Sequence, residues 1–119
     1  MFEWKKGNAY IATVTLSINY LTLNAVAASY FSNVRYCMLG HDKENEKLAI
    51  RPVTKDELDL KLVSLDKLYR ISQGNGYSRI GCKALLSELK MFYNVNLDNT
   101  KCSATFNEAE NLLIVNLKE

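Results

Sequence analysis

The chain has 119 residues, of which 48% are hydrophobic and 24% charged, and its formal net charge is +2. This length fits one domain with its own core, and the composition excludes a disordered chain, which needs fewer apolar and more like-charged residues. A net charge this small does not by itself indicate nucleic acid. No run of apolar residues is long enough for a membrane-spanning helix. The odd number of cysteines, with no CxxC pair, favours reduced thiols, so we expect a cytoplasmic protein.

The first 53 residues predict strands, a short helix and a hairpin. One parity of residues 10–23 is apolar, which indicates one strand or two short strands with a break near Ser17. Asn24 is the expected N-cap of a helix over 25–31. Apolar runs at 34–39 and 47–52 enclose a polar tip that includes His41, which predicts a hairpin. The apolar parity of the first segment comprises Tyr10, Ala12, Val14, Leu16, Ile18 and Tyr20.

Residues 54–66 form a connector with two competing patterns. Thr54 and Glu57 have the spacing of a capping box, which favours a helical turn. Leu58, Leu60 and Leu62 alternate with polar residues, which favours a strand. Both alternatives stay open from the sequence.

The second half predicts two hairpins with a helix between them. Residues 67–72 and 77–82 flank the turn Gly74-Asn75-Gly76, which is typical of a hairpin. Residues 83–93 have the apolar period of an amphipathic helix. Residues 101–106 and 112–117 flank a polar turn and form the last predicted hairpin. The apolar stripe of the helix comprises Cys82, Leu85, Leu86, Leu89, Phe92 and Tyr93.

The two halves align as an internal repeat. Residues 21–27 match 80–86 without a gap, so Asn24 falls on Lys83. The later hairpins match at a larger offset, which places Cys37 on Cys102 and Ile50 on Val115. We therefore predict an α+β fold in which two strand–helix–hairpin units, at about 10–53 and 67–119, pack into a single pseudo-symmetric domain covering 1–119.

The first unit resembles the swapped-hairpin domain of AbrB/MazE/SpoVT-type transcription regulators. The residues that carry the resemblance are Leu21–Ala27 and Lys47–Pro52. Asn24 and Lys83 stand where that family usually has proline at the helix start. The resemblance implies a swapped-hairpin β-barrel and DNA binding, and because family members act as dimers of one unit, two units in one chain would imitate that dimer.

Basic residues concentrate in the segment 67–90, where Glu88 is the one acidic residue and Tyr69 and Tyr77 interleave. Basic groups with nearby aromatic rings are a sequence indication of nucleic-acid binding, although a solvated positive face would have the same composition. The candidate DNA-binding residues are Lys67, Arg70, Arg79, Lys83 and Lys90.

Other chemistry has weaker support in the sequence. His41 is the one histidine, and a metal site needs three or four ligands, so we expect an exposed turn histidine and no metal or cofactor. Cys37, Cys82 and Cys102 contain no CxxC pair and are odd in number, which predicts free thiols. Cys82 begins a predicted helix, where a thiolate would be favoured, but its place on the apolar stripe favours core packing.

These observations predict a small non-enzymatic binding domain, with bacterial or phage DNA regulation as the first choice. The expected partners are double-stranded DNA and a second copy of the chain, without a membrane. The alternative is a protein-interaction or assembly module without nucleic acid, which would use the exposed strand edges that hairpin units offer for pairing.

Overall fold

The computed structural model describes residues 1–5 and 11–118. The strands are β1 (Thr13–Leu16), β2 (Tyr20–Asn24), β3 (Tyr36–Asp42), β4 (Lys47–Val53), β5 (Tyr69–Gln73), β6 (Tyr77–Gly81), β7 (Thr100–Asn107) and β8 (Leu112–Asn116). The α-helices are α1 (Ala25–Ala28), α2 (Lys55–Asp59) and α3 (Lys83–Tyr93). Short 3-10 segments follow α1 at Ser29–Phe31 and precede β5 at Leu65–Lys67.

The strands form a closed antiparallel barrel in the order β1-β2-β6-β5-β3-β4-β8-β7. Alternation along each strand turns apolar side chains inward, where they form the core. Helix α3 adds Leu85, Leu86 and Leu89 to the same cluster. The structure thus confirms the prediction of an α+β fold with a β-barrel. Side chains fully buried in the barrel include Val14, Leu16, Leu21, Leu23, Leu48, Ile50, Ile80, Leu113 and Val115.

The strand pairing has the same pattern in the two halves of the chain. Exchanging β1–β4 with β5–β8 leaves every neighbour relation in the barrel unchanged. The registers agree as well, because Leu21 pairs with Ile80, its expected equivalent. The inner pair Leu16 and Leu21 of the first hairpin corresponds to Ile71 and Ile80 of the second. The β5–β6 pairing continues beyond this residue pair toward its turn, whereas the β1–β2 pairing ends there.

The segment 10–23 is two strands rather than one. Strands β1 and β2 pair through a turn after Leu16, where the N–H and hydroxyl of Ser17 both donate to the Tyr20 carbonyl. The turn changes the parity, so Ile18 is 62% exposed and Leu21 is buried. The prediction that Ile18 and Tyr20 continue the apolar face was therefore wrong. Tyr10 lies outside the described residues.

The polar tip of the β3–β4 hairpin is shorter than the sequence predicts. Gly40, His41 and Asp42 belong to β3, so the assignment of His41 to a turn was wrong. Asp42 closes the tip because its side chain accepts hydrogen bonds from the backbone N–H groups of Glu44 and Asn45. This local bonding lets the ladder continue to the last residue of the strand.

In the connector 54–66, the helical alternative is the one that forms. Thr54 and Glu57 make the reciprocal bonds of a capping box at the start of α2. Glu57 also bonds Arg51 of β4, with Nη2 and Oε2 2.5 Å apart. Burial opposes ionisation of Glu57, but the hydrogen bonds from Thr54 and Arg51 outweigh it and lower its pKa. The contacts therefore stabilise the fold at neutral pH and lose that contribution as the pH falls through the lowered pKa.

Asn24 joins the start of α1 to β1, as its predicted role as N-cap requires. Its side-chain oxygen accepts from the N–H groups of Ala27 and Thr13. Its side-chain nitrogen donates to the Ile11 carbonyl at 2.7 Å. The lysine at the equivalent place, Lys83, is the first residue of α3, and the cap position there is held by Cys82, whose side chain makes no capping hydrogen bond.

Within the described residues, no helix is both long enough and apolar enough to cross a membrane.

We predict that Leu86→Ala lowers the free energy of unfolding by about 2–5 kcal/mol, because it leaves a cavity where α3 meets the barrel. Urea unfolding monitored by circular dichroism measures the change. The matched control is Ser87→Ala on the exposed side of the same helix, for which we expect a change within about 0.5 kcal/mol. Equal effects of the two substitutions would contradict this packing of α3.

We also predict that the thiols react only after unfolding. Cys37, Cys82 and Cys102 are buried, and burial raises the pKa of Cys37 and Cys82 to about 12. Thiolate is therefore scarce at pH 8. Mass spectrometry after alkylation should show little modification of the native protein and three adducts in denaturant without reductant. A protected pair in denaturant would reveal a disulfide.

Candidate nucleic-acid interface

Charge is distributed unevenly between the strands and the rest of the fold. Asp42, at the end of β3, is the one acidic residue within the described strands. Lys47 donates to the side chain of Asn116, and Arg51 pairs with Glu57. The strands thus present mostly basic groups, while the other described carboxylates lie in turns, loops, helices and the N-terminal segment. The basic strand residues are Lys47, Arg51, Arg70, Arg79 and Lys101.

Arg79 lies against two tyrosine rings on the outer side of the barrel. Its guanidinium carbon is 4.6 Å from the centre of the Tyr20 ring and 5.1 Å from the centre of the Tyr77 ring. Tyr20 comes from β2, whereas Tyr77 precedes Arg79 by two residues on β6, so all three side chains share one face. Cation–π contact restricts the guanidinium and leaves its N–H groups free for an external acceptor.

The turn between β5 and β6 places the Tyr77 ring. A side chain at Gly74 would overlap that ring, so the ring occupies space that only glycine leaves open. Gly76 has φ +83°, a conformation that favours glycine. The predicted hairpin turn at 74–76 is confirmed, and both glycines have a structural reason.

Gln73 and Ser78 are the residue pair that closes this hairpin next to its turn. Ser78 is fully buried, and its hydroxyl donates to the Gln73 side-chain oxygen at 2.6 Å. The Gln73 amide nitrogen donates in turn to the Phe31 carbonyl after α1. A buried polar group without a partner would be costly, so these bonds hold the strand that carries Arg79.

A second groove continues the surface toward β3. Arg35 and Arg70 line this groove of about 390 Å³. It shares Ser72 and Gln73 with the groove of about 370 Å³ beside Arg79. Arg79 pairs with Ser72 across β5–β6, so Arg70 is its diagonal neighbour, with Cα atoms about 7–8 Å apart. We call Tyr20, Arg35, Arg70, Tyr77 and Arg79 the arginine face.

The arginine face has no internal charge compensation. Among the described residues, none of its three arginines forms an ion pair with a carboxylate. Gathering like charges on one surface is unfavourable unless an anion is bound there. This makes the face the strongest candidate for contact with phosphate.

The structure brings together two of the sequence-predicted site residues, Arg70 and Arg79. Lys67 lies in the 3-10 turn before β5, and Lys83 is the first residue of α3. Lys90 lines a different groove together with Ile18 and Leu97. Lys67, Lys83 and Lys90 are all exposed, and none of them lines either groove of the arginine face.

His41 joins a hairpin to a helix. Its Nδ1 lies 2.7 Å from the Tyr93 hydroxyl at the end of α3. Its ring stacks on Phe92, over which the Lys43 ammonium also lies. Among the described residues there is no cluster of metal-ligating groups around it. The contacts make His41 a half-buried packing residue of the β3–β4 hairpin.

No family model, curated protein or solved structure matches the chain.

We predict that Gly74→Ala displaces the Tyr77 ring at little cost in stability, because the ring can rotate away from the new methyl group. The ring-current shifts of the Arg79 side-chain protons should decrease in the NMR spectrum. Gly40→Ala is the matched control, since a methyl group there meets open space. Unchanged Arg79 shifts in Gly74→Ala would contradict the described stacking.

Proposed function

We propose that the chain is a DNA-binding regulator that contacts phosphates of the duplex through the arginine face. The single observation that supports this proposal best is the set of unpaired arginines on neighbouring strands, with Arg79 restrained by two rings. Guanidinium groups bind phosphate oxygens through paired N–H donors, and such contacts account for most non-specific affinity for DNA.

We further propose that the barrel is a tandem, swapped-hairpin version of the AbrB-like dimer. The equal strand pairing and registers of the two halves support this arrangement. In this proposal Asn24 superposes on Lys83 and Ile50 on Val115 about a pseudo-two-fold axis. The axis would pass through the β2–β6 and β4–β8 ladders, where equivalent strands of the two halves pair.

The size of the interface sets a limit on the affinity. A single module of this kind buries roughly 600–1,000 Å² on DNA, so tight binding requires a second copy of the chain. Phosphate contacts also position a protein without reading sequence. We therefore propose a homodimer on DNA, acting in the cytoplasm of a bacterium or on behalf of a phage.

The test is a titration of mixed-sequence duplex DNA at several salt concentrations with wild type and Arg70→Ala/Arg79→Ala. We expect wild-type affinity to fall steeply with salt, because bound cations on DNA are released. The double substitution should weaken binding to all sequences alike and lower the slope of log affinity against log salt by about two. Fluorescence anisotropy of labelled DNA measures both effects.

The control is Lys61→Ala/Lys118→Ala, which removes the same charge outside the arginine face. It should lower affinity far less than the arginine substitutions. The absence of binding at low salt, or equal effects of the two double variants, would reject the proposal.

Two features bear on the alternative of a protein-interaction module, namely the strand edges of the barrel and the exposed leucines of the connector. The barrel closes, so each of β1–β8 has a neighbouring strand on both sides. An added strand could pair only where a ladder is short, as on the β5 side of β3, where Tyr36 and Cys37 alone are paired. However, Leu60, Leu62 and Leu65 are 68%, 68% and 77% exposed along the connector. Exposed apolar groups of this kind are typical of contact surfaces. If the DNA titration shows no binding, we propose that this connector is the contact surface for a protein partner.

A further inference from the structure

A separate pocket lies between the segment before β3, the end of β4 and α2. Its volume is about 350 Å³, and it is lined by three apolar side chains, by Asn33 and Tyr36, and by two cations, Arg35 and Lys55. Val53 is buried, whereas Arg35 and Lys55 are exposed. The pocket is therefore apolar in its depth and positive at its opening. The apolar side chains are Val34, Val53 and Leu58.

The wall that α2 contributes is held in position. The capping box of Thr54 and Glu57 fixes the start of the helix, and the Arg51–Glu57 ion pair ties it to β4. Glu57 is thereby neutralised by Arg51, and Arg35 and Lys55 form no ion pair of their own in the described part of the chain. A preformed pocket with uncompensated positive charge needs little reorganisation to accept an anion.

We propose that this pocket binds a small organic anion with an apolar body. The carboxylate would lie between Arg35 and Lys55, where charge-assisted hydrogen bonds are strong. The apolar body would contact Val34, Val53 and Leu58, from which it displaces water. The volume is at the lower end for ligand sites, so a single aromatic ring or a short branched chain is the fitting size. The pocket shares Arg35 with the arginine face, but Lys55 and Leu58 lie outside that face, and the ligand is a small molecule rather than DNA. The inference therefore does not depend on DNA binding.

The experiment is a titration of the protein alone with benzoate, followed by heteronuclear NMR, with acetate as the ligand that lacks the apolar body. We expect saturable shifts at Val34, Val53 and Leu58 with benzoate, and binding of acetate weaker by at least about tenfold. Arg35→Gln and Lys55→Gln should each weaken benzoate by about tenfold. Lys55→Arg, which keeps the charge, should retain most of the affinity.

Lys61→Gln is the matched control, because it removes a charge just beyond α2 and outside the pocket. It should leave benzoate affinity within about twofold of wild type, since exposed charges at a distance are screened. Thermal unfolding of every variant verifies that it is folded. Non-saturable shifts, equal binding of acetate, or an equal effect of Lys61→Gln would overturn the proposal.

Discussion

The pairing of β2 with β6 and of β4 with β8 is the interaction on which the rest of the structure depends. Each half of the chain supplies two hairpins, and neither half closes a barrel by itself. The two ladders bring Leu21 against Ile80 and Ile50 against Leu113, so apolar side chains of both halves are buried together. Barrel closure thus satisfies the strand edges and completes the core at the same time.

Closure also decides where charge can lie. Because inward strand positions are filled by apolar groups, the basic strand residues remain on the outside, and the acidic residues lie mostly beyond the strands. Arg79 and Arg70 become neighbours only through the register of β5 with β6. The pairing of β3 with β5 then brings Tyr36, and Arg35 before it, beside Arg70. The arginine face is therefore a consequence of pairing rather than of one segment.

The candidate site was predictable only in part. Arg70 and Arg79 share a hairpin whose turn is visible in the sequence, so local alternation places them on one face. Tyr20 and Arg35 come from the other half of the chain, and no local pattern connects them to Arg79. Lys67, Lys83 and Lys90 were grouped with them by nearness in sequence, but they lie in a 3-10 turn and a helix and line neither groove of the arginine face. Only the register between distant strands determines which basic and aromatic residues belong to the arginine face.

The sequence by itself determined two local elements: α3 from its apolar period, and the hairpin at Gly74 and Gly76 from the φ and space that glycine allows. These features depend on neighbouring residues, so short-range chemistry is sufficient. The tertiary structure decided the separate strands β1 and β2, the position of His41 in β3, and the assembly of the arginine face. These depend on which strands pair across the barrel, because long-range burial selects among local patterns that the sequence leaves equally allowed.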